Sequence, residues 1–211
     1  MSRRGWAAGA AVALSIVAPA IASAQSKTEQ RTLALLARPP AELVAAIKVT
    51  GDSLDPQITI STQGVTAITS KGLLVSNTSE NSFLRAFINR KTGAVSAQVY
   101  HSMTYGGRGF DTFARATYEA PDGIEEAAVS QVSSDVSCAR YGCTHYADVV
   151  FPIKVEVLRA AAKAFNPATP LFGIRYRIFG QSGTNIDDGL PGNEMAAFVA
   201  VIDREVAALR P

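Results

Sequence analysis

From Asp55 to Gly180 the chain is written in short stretches of β-branched and aromatic residues punctuated by glycine, and within them apolar and polar side chains alternate. Phe172 to Gly180 is the cleanest example: Phe172, Ile174, Tyr176 and Ile178 fall on one parity, Arg175 and Arg177 on the other. A period of two places one set of side chains on a buried face and the other in water only if the backbone is extended. The body of the chain is therefore expected to be antiparallel β-sheet with one face covered.

The first 24 residues obey a different rule. Arg3 and Arg4 precede an uncharged Ala/Val/Ile-rich stretch from Ala7 to Ala18, and Ala22-Ser23-Ala24 stands before Gln25 as a small-x-small cleavage site. This is the layout of a secretory signal peptide cleaved after Ala24. The apolar stretch is shorter than the roughly 20 residues a spanning helix needs, and the mature chain is expected to carry no membrane span. No cysteine follows the cleavage site to take a lipid anchor. Ser2-Arg3-Arg4-Gly5-Trp6 reads either as an ordinary positive n-region or as a twin-arginine signal.

Removing that leader corrects the charge. The whole chain holds 20 basic and 18 acidic residues, and Arg3 and Arg4 leave without any acid, so 18 of each sign remain. A neutral mature chain without a Lys/Arg run offers no electrostatic footprint for nucleic acid or anionic lipid. The mature chain is expected in the periplasm or the medium, with the two cysteines in an oxidising compartment.

Along the chain, residues 25–48 read as an N-terminal segment or short helix, with Pro40 opening a helix toward Lys48. Residues 49–211 read as one β-rich domain. Phe83 to Arg90 is a strand that turns at Lys91-Thr92-Gly93 into Val95–Tyr105. Gly106-Gly107-Arg108-Gly109 then suggests a tight hairpin from Val95–Tyr105 into Phe110–Glu119, with Tyr105 opposite Phe110. A second hairpin joins Glu126–Cys138 to Cys143–Phe151 through Ala139-Arg140-Tyr141-Gly142. Lys154 to Phe165 has helical composition, and Asn193 to Leu209 carries Met195, Phe198, Val199, Ile202, Val206 and Leu209 at helical period, with Asn193 as cap. The expected fold class is α+β: a curved antiparallel meander of about six or seven strands with the C-terminal helix packed on one face.

Cys138 and Cys143 flank a four-residue turn symmetrically, which predicts a cross-strand disulfide. So short a loop contributes only about 2 kcal/mol in the chain-entropy account. Their spacing is not Cys-x-x-Cys, and a zinc site would have only His145 and His101 as further ligands, so no metal and no cofactor is expected. His145 and Asp148, with serines on the facing strand, invite a Ser-His-Asp reading. Residues three apart on a strand point to opposite faces, however, and no Gly-x-Ser-x-Gly elbow is present. His101 falls on the apolar face, expected opposite Ala114, either satisfied by a core partner or facing a ligand. Tyr100 and Arg115, expected opposite each other on the wet face, are candidate contact residues or a cation-π pair. The candidate ligand contacts are thus His101, His145, Tyr100 and Arg115. Asp187-Asp188-Gly189 reads as a turn before the last helix, and Asn77-Thr78-Ser79 as a glycosylation acceptor only in a eukaryotic host.

The strings Gly72-Leu73-Leu74, FLRAFINRKTGAVSAQVY (Phe83 to Tyr100), RATYEAPDG (Arg115 to Gly123) and VSSDVSCARYGCTHYADVVFPI (Val132 to Ile153) resemble a group of small exported bacterial proteins of uncharacterised function. The resemblance spans roughly Ile47 to Arg204; it implies export and a β-rich fold and carries no catalytic residue with it. The expected function is that of a non-enzymatic binding or envelope-associated protein whose partner is a protein, a glycan or a small apolar ligand. The alternative is a hydrolase-like enzyme using His101 or His145.

Overall fold

The computed structural model describes residues 27–65, 80–106, 109–140, 142–169 and 172–209. The leader, the Gly72-Leu73-Leu74 string and Asn77-Thr78-Ser79 lie outside the described residues.

Strands dominate, and they form two antiparallel sheets. The large sheet has six strands: β1 (Lys48–Thr50), β2 (Gln57–Ser61), β3 (Glu80–Asn89), β4 (Val95–Gly106), β8 (Gly142–Ile153) and β7 (Ser130–Ala139), in that spatial order. The small sheet has four: β10 (Asn185–Pro191), β9 (Phe172–Gly180), β5 (Phe113–Ala120) and β6 (Gly123–Ala128). Alternation decides which faces meet. Leu84, Ala86, Val99, Met103, Val149 and Phe151 of the large sheet are buried, as are Ala116, Tyr118, Ile174, Tyr176 and Ile178 of the small one. Ring contacts cross the layer at Tyr118–Phe151, 6.4 Å between centroids, and Phe151–Tyr176, 5.3 Å.

Among the described residues four helices accompany the sheets: α1 (Lys27–Leu36), α2 (Pro40–Val44), α3 (Val155–Ala164) and α4 (Gly192–Ala208). The α+β class with a C-terminal helix on the sheet is as expected. Helix α4 touches β2 and β3 of the large sheet and β9 and β10 of the small one, while α2 and α3 pack on its other sides. Its Met195, Ala197, Phe198, Val201 and Ile202 are buried. Met195 comes so close to β9 that a Cβ on Gly173 would collide with its Cε and crowd Gly192 Cα at 3.2 Å, so the bare glycine lets helix and strand approach closely.

The β3–β4 and β7–β8 hairpins match the expected pairing, with Phe83 opposite Tyr100 and Cys138 opposite Cys143. The hairpin expected between β4 and the following strand does not form. Strand β4 pairs with β3 and β8, and β5 pairs with β6 and β9 in the other sheet, so the chain changes sheets between β4 and β5. A turn signal states that the chain reverses, not that it stays in the same sheet. The chain returns to the large sheet after Val129, so Glu126 lies in β6 and not at the start of β7.

Register fails locally for a second reason. Strict alternation sets Phe113 on the wet face, but the register of β5 shifts between Phe113 and Arg115, and Phe113 and Ala116 are both buried. An extra residue in a bulge reverses the parity of the strand beyond it. Asp187-Asp188-Gly189 is strand β10 and not a turn, and Asn193 lies inside α4, where Pro191 holds the cap position.

Gly173→Ala is expected to force Met195 from its seat and cost about 1–3 kcal/mol. Thermal denaturation monitored by far-UV circular dichroism would register a lower midpoint; an unchanged midpoint would mean the helix is not seated on that glycine.

Candidate functional site

Four polar side chains meet at the centre of the sandwich. Ser82 and His101 are opposite one another on β3 and β4, and Tyr176 and Asp188 are opposite one another on β9 and β10. Ser82 Oγ lies 3.0 Å from His101 Nδ1 within the large sheet, and across the interface it lies 2.6 Å from Tyr176 OH and donates to Asp188 Oδ2. Tyr176 OH donates to the same carboxylate oxygen at 2.9 Å and lies 2.8 Å from His101 Nδ1. His101 Nδ1 thus faces both hydroxyls and donates or accepts according to its tautomer, and the Ser82–Tyr176 contact takes a proton from either oxygen. Burial alone would raise the Asp188 pKa, but hydrogen bonds from His101 and Ser82 and the adjacent imidazole outweigh it and hold the carboxyl below its ordinary value.

These are the residue types of a hydrolytic triad in another geometry. Triad chemistry needs the serine on one imidazole nitrogen and the carboxylate on the other. Here serine, tyrosine and carboxylate all face Nδ1, while Nε2 is buried with no hydrogen-bond partner and His101 is 0% exposed. The arrangement ties one sheet to the other, and the carboxylate shares Nδ1 with Ser82 instead of facing Nε2, so the serine–imidazole–carboxylate relay of a triad is not formed. The expected placement of His101 opposite Ala114 is corrected: its neighbours in the large sheet are Ser82 and Val149.

His145 lies apart from this knot. It stacks on Tyr105 at 5.3 Å between ring centroids and meets the edge of Phe110 at 4.9 Å. Asp148 faces the other way, as strand parity requires, and accepts from Ser102 Oγ and Ser133 Oγ, each at 2.6 Å. Tyr100 and Arg115 are separated into different sheets, which corrects their expected pairing. Tyr100 stacks on Phe83 at 4.7 Å with the Arg85 guanidinium over both rings. Arg115 covers the Phe179 ring at 3.8 Å and pairs with Glu126 at 3.2 Å.

Two open surfaces of the described residues differ in kind. A groove of about 730 Å³ crosses the outer face of the small sheet, lined in part by Thr117, Glu119, Ile124, Arg175, Arg177 and Phe179. Its arginines are already engaged, Arg175 by Glu119 and Arg177 by Asp187. The second surface is a strand edge. Strand β7 is the outermost strand of the large sheet, pairs with β8 alone among the described strands, and is exposed at all ten positions. Its far end is tied by the Cys138–Cys143 disulfide, which is consistent with a compartment outside the cytoplasm.

Sequence reasoning missed the roles of two buried residues at the start of α4. Asn193 Nδ2 donates to Leu35 O at 2.8 Å and Arg38 O at 3.2 Å, so it fastens the end of α1 instead of capping its own helix. Glu194 accepts from Thr62 Oγ1, its Oε2 is buried without a partner, and burial pushes its pKa up to about 8. The signal for both was their position: an Asn-Glu pair in the first turn of α4, a turn buried from Gly192 to Met195.

Among the described residues no group of three or more His, Cys, Asp or Glu is placed to hold a metal ion, and no helix is long and apolar enough to cross a membrane. No family model matches the chain, and comparison with curated proteins and with solved structures finds no significant match.

Two carboxyls, partly buried Asp188 and buried Glu194, make stability depend on pH in opposite directions. Asp188 has a depressed pKa, so its contribution is present above the unfolded value and is lost as pH falls through the folded one. Asp188→Asn is expected to cost about 1–3 kcal/mol at neutral pH, with the gap to the parent narrowing in acid. Glu194 has the opposite sign. Its stabilisation is full below 4.5 and declines by about 1.4 kcal/mol per pH unit up to about 8. Denaturant titrations should find Glu194→Gln equal to the parent at pH 5 and more stable at pH 9; equal curves at both pH values would contradict the buried carboxyl.

Proposed function

We propose that this protein is an exported, non-catalytic binding module that receives an extended protein segment along the free edge of β7. One observation carries the reading: a ten-residue edge strand exposed at every position. Such an edge offers a row of unsatisfied N–H and C=O groups, and proteins ordinarily blunt it with lysine, proline or a covering loop. Between Ser130 and Ala139 there is neither lysine nor proline, and Asp135 is the only charged residue. The register shift between Gln131 and Ser133 sits near one end and leaves Ser133–Ala139 regularly paired with β8. An added strand gains affinity from backbone hydrogen bonds and specificity from alternate side chains.

Export, to the periplasm or the medium, is supported by the leader pattern of Met1–Ala24 and by the disulfide. The hydrolase alternative has less support, because His101 directs one nitrogen into a knot and buries the other, and His145 is enclosed by Tyr105 and Phe110. A charged ligand in the small-sheet groove would have to displace existing ion pairs.

Photoreactive p-benzoylphenylalanine at Val136, in the middle of the edge, is expected to give discrete protein adducts in cells, whereas the same group at Leu54, 91% exposed and off the edge, gives none. Equal labelling at both positions, or none at either, would contradict strand addition.

A further inference from the structure

We infer that the strand received by β7 is the β7 of a second copy of this chain, paired antiparallel about a twofold axis through Val136. The inference rests on strand addition at β7 and names the partner. A strand can pair with itself only if the residues brought opposite one another suit each other twice, so the register can be tested against the sequence.

With the axis at Val136, that residue stands opposite Val136 of the second copy, Asp135 opposite Ser137, Ser134 opposite Cys138, and Ser133 opposite Ala139. No like charges meet, and each Asp135 carboxylate lies across from a hydroxyl donor. Moving the axis to Asp135 sets two carboxylates face to face. Moving it to Ser134 brings Val132 into the pairing, and Val132 is the residue skipped by the shift between Gln131 and Ser133. The Val136 register pairs the whole regular segment Ser133–Ala139 without charge opposition; an axis at Ser137 also avoids charge opposition but pairs only Asp135–Ala139.

Continuity of side-chain rows gives an independent argument. Within one chain Tyr105 is opposite His145, and His145 is opposite Val136. Phe110 lies edge-on to the same His145 ring. At the open end of this row Val136 is 39% exposed and Phe110 is 55% exposed, an apolar lip at an otherwise polar edge. An axis perpendicular to the sheet at Val136 keeps like faces together, so the row continues through Val136, His145 and Tyr105 of the second copy. Both faces of β7 are exposed and the small sheet meets it only through a few contacts with β5, which leaves room for the second sandwich.

The disulfide serves the same end. Cys138 and Cys143 close the hairpin two residues beyond the axis, holding the docking strand extended before it pairs. The paired segment is short, so the interface falls at the small end of specific contacts and the dimer is reversible.

Sedimentation velocity of the purified protein from about 1 µM to about 500 µM is expected to show a monomer passing into a dimer. Val136→Lys should weaken the dimer at least about tenfold with an unchanged melting midpoint. Val136→Cys should give a disulfide-linked dimer on mild oxidation, because the two positions coincide at the axis, and Ser134→Cys should not. A dimer that persists in Val136→Lys, or cross-links better through Ser134→Cys, overturns this register. A monomer at every concentration, with Val136 photo-adducts to a different protein, overturns self-pairing and leaves strand addition standing. A monomer with no adducts overturns both.

Discussion

The contact on which the architecture turns is the polar knot between the two sheets. Leu, Ile, Val and Phe side chains fill the layer between them, but such packing tolerates small shifts of one sheet over the other. Ser82, His101, Tyr176 and Asp188 do not, because each buried polar group left without a partner would cost about 1–3 kcal/mol. Satisfied together, they hold β3 and β4 in one relation to β9 and β10. The aromatic series Tyr118, Phe151 and Tyr176 extends from this point through the layer. Helix α4 then closes the side where β2 and β3 approach β9 and β10.

That arrangement encloses the chemistry and exposes the backbone. The two histidines, the residue type that most often carries acid–base catalysis, are 0% and 4% exposed. Strand β8 is held by β4 on one side, and β7 beyond it lies outside the reach of the small sheet except for a few contacts with β5. Among the described residues the outer edge of β7 leaves main-chain groups accessible, and under the proposed function an added strand is the ligand that would match them.

Much of this was legible in the residues, and what was not has a common cause. Alternation identified β4, β8 and β9, helical period identified α3 and α4, and the spacing of the cysteines gave the β7–β8 register at Cys138 and Cys143. His101 could be placed on an apolar face from its strand alone. Its partners could not, because Tyr176 comes from 75 residues later in the chain and Asp188 sits 106 residues from Ser82. Asp111 was hidden in the same way: it reaches across to accept from Ser182 N at 3.0 Å beside Gly180. Local pattern reports the period of an element and the sign of a turn; it does not report which sheet a strand joins, and that is where the β4–β5 hairpin went wrong.

Hydrogen–deuterium exchange resolved to single amides tests most directly whether β7 is an open edge that takes up another strand. In dilute solution the outward-facing amides of Ser133–Ala139 should exchange rapidly while those of β4, paired on both sides, stay protected. Raising the protein concentration should protect those edge amides and leave the rest of the molecule unchanged. Edge amides already protected at the lowest concentration, or unprotected at every concentration, would contradict the account.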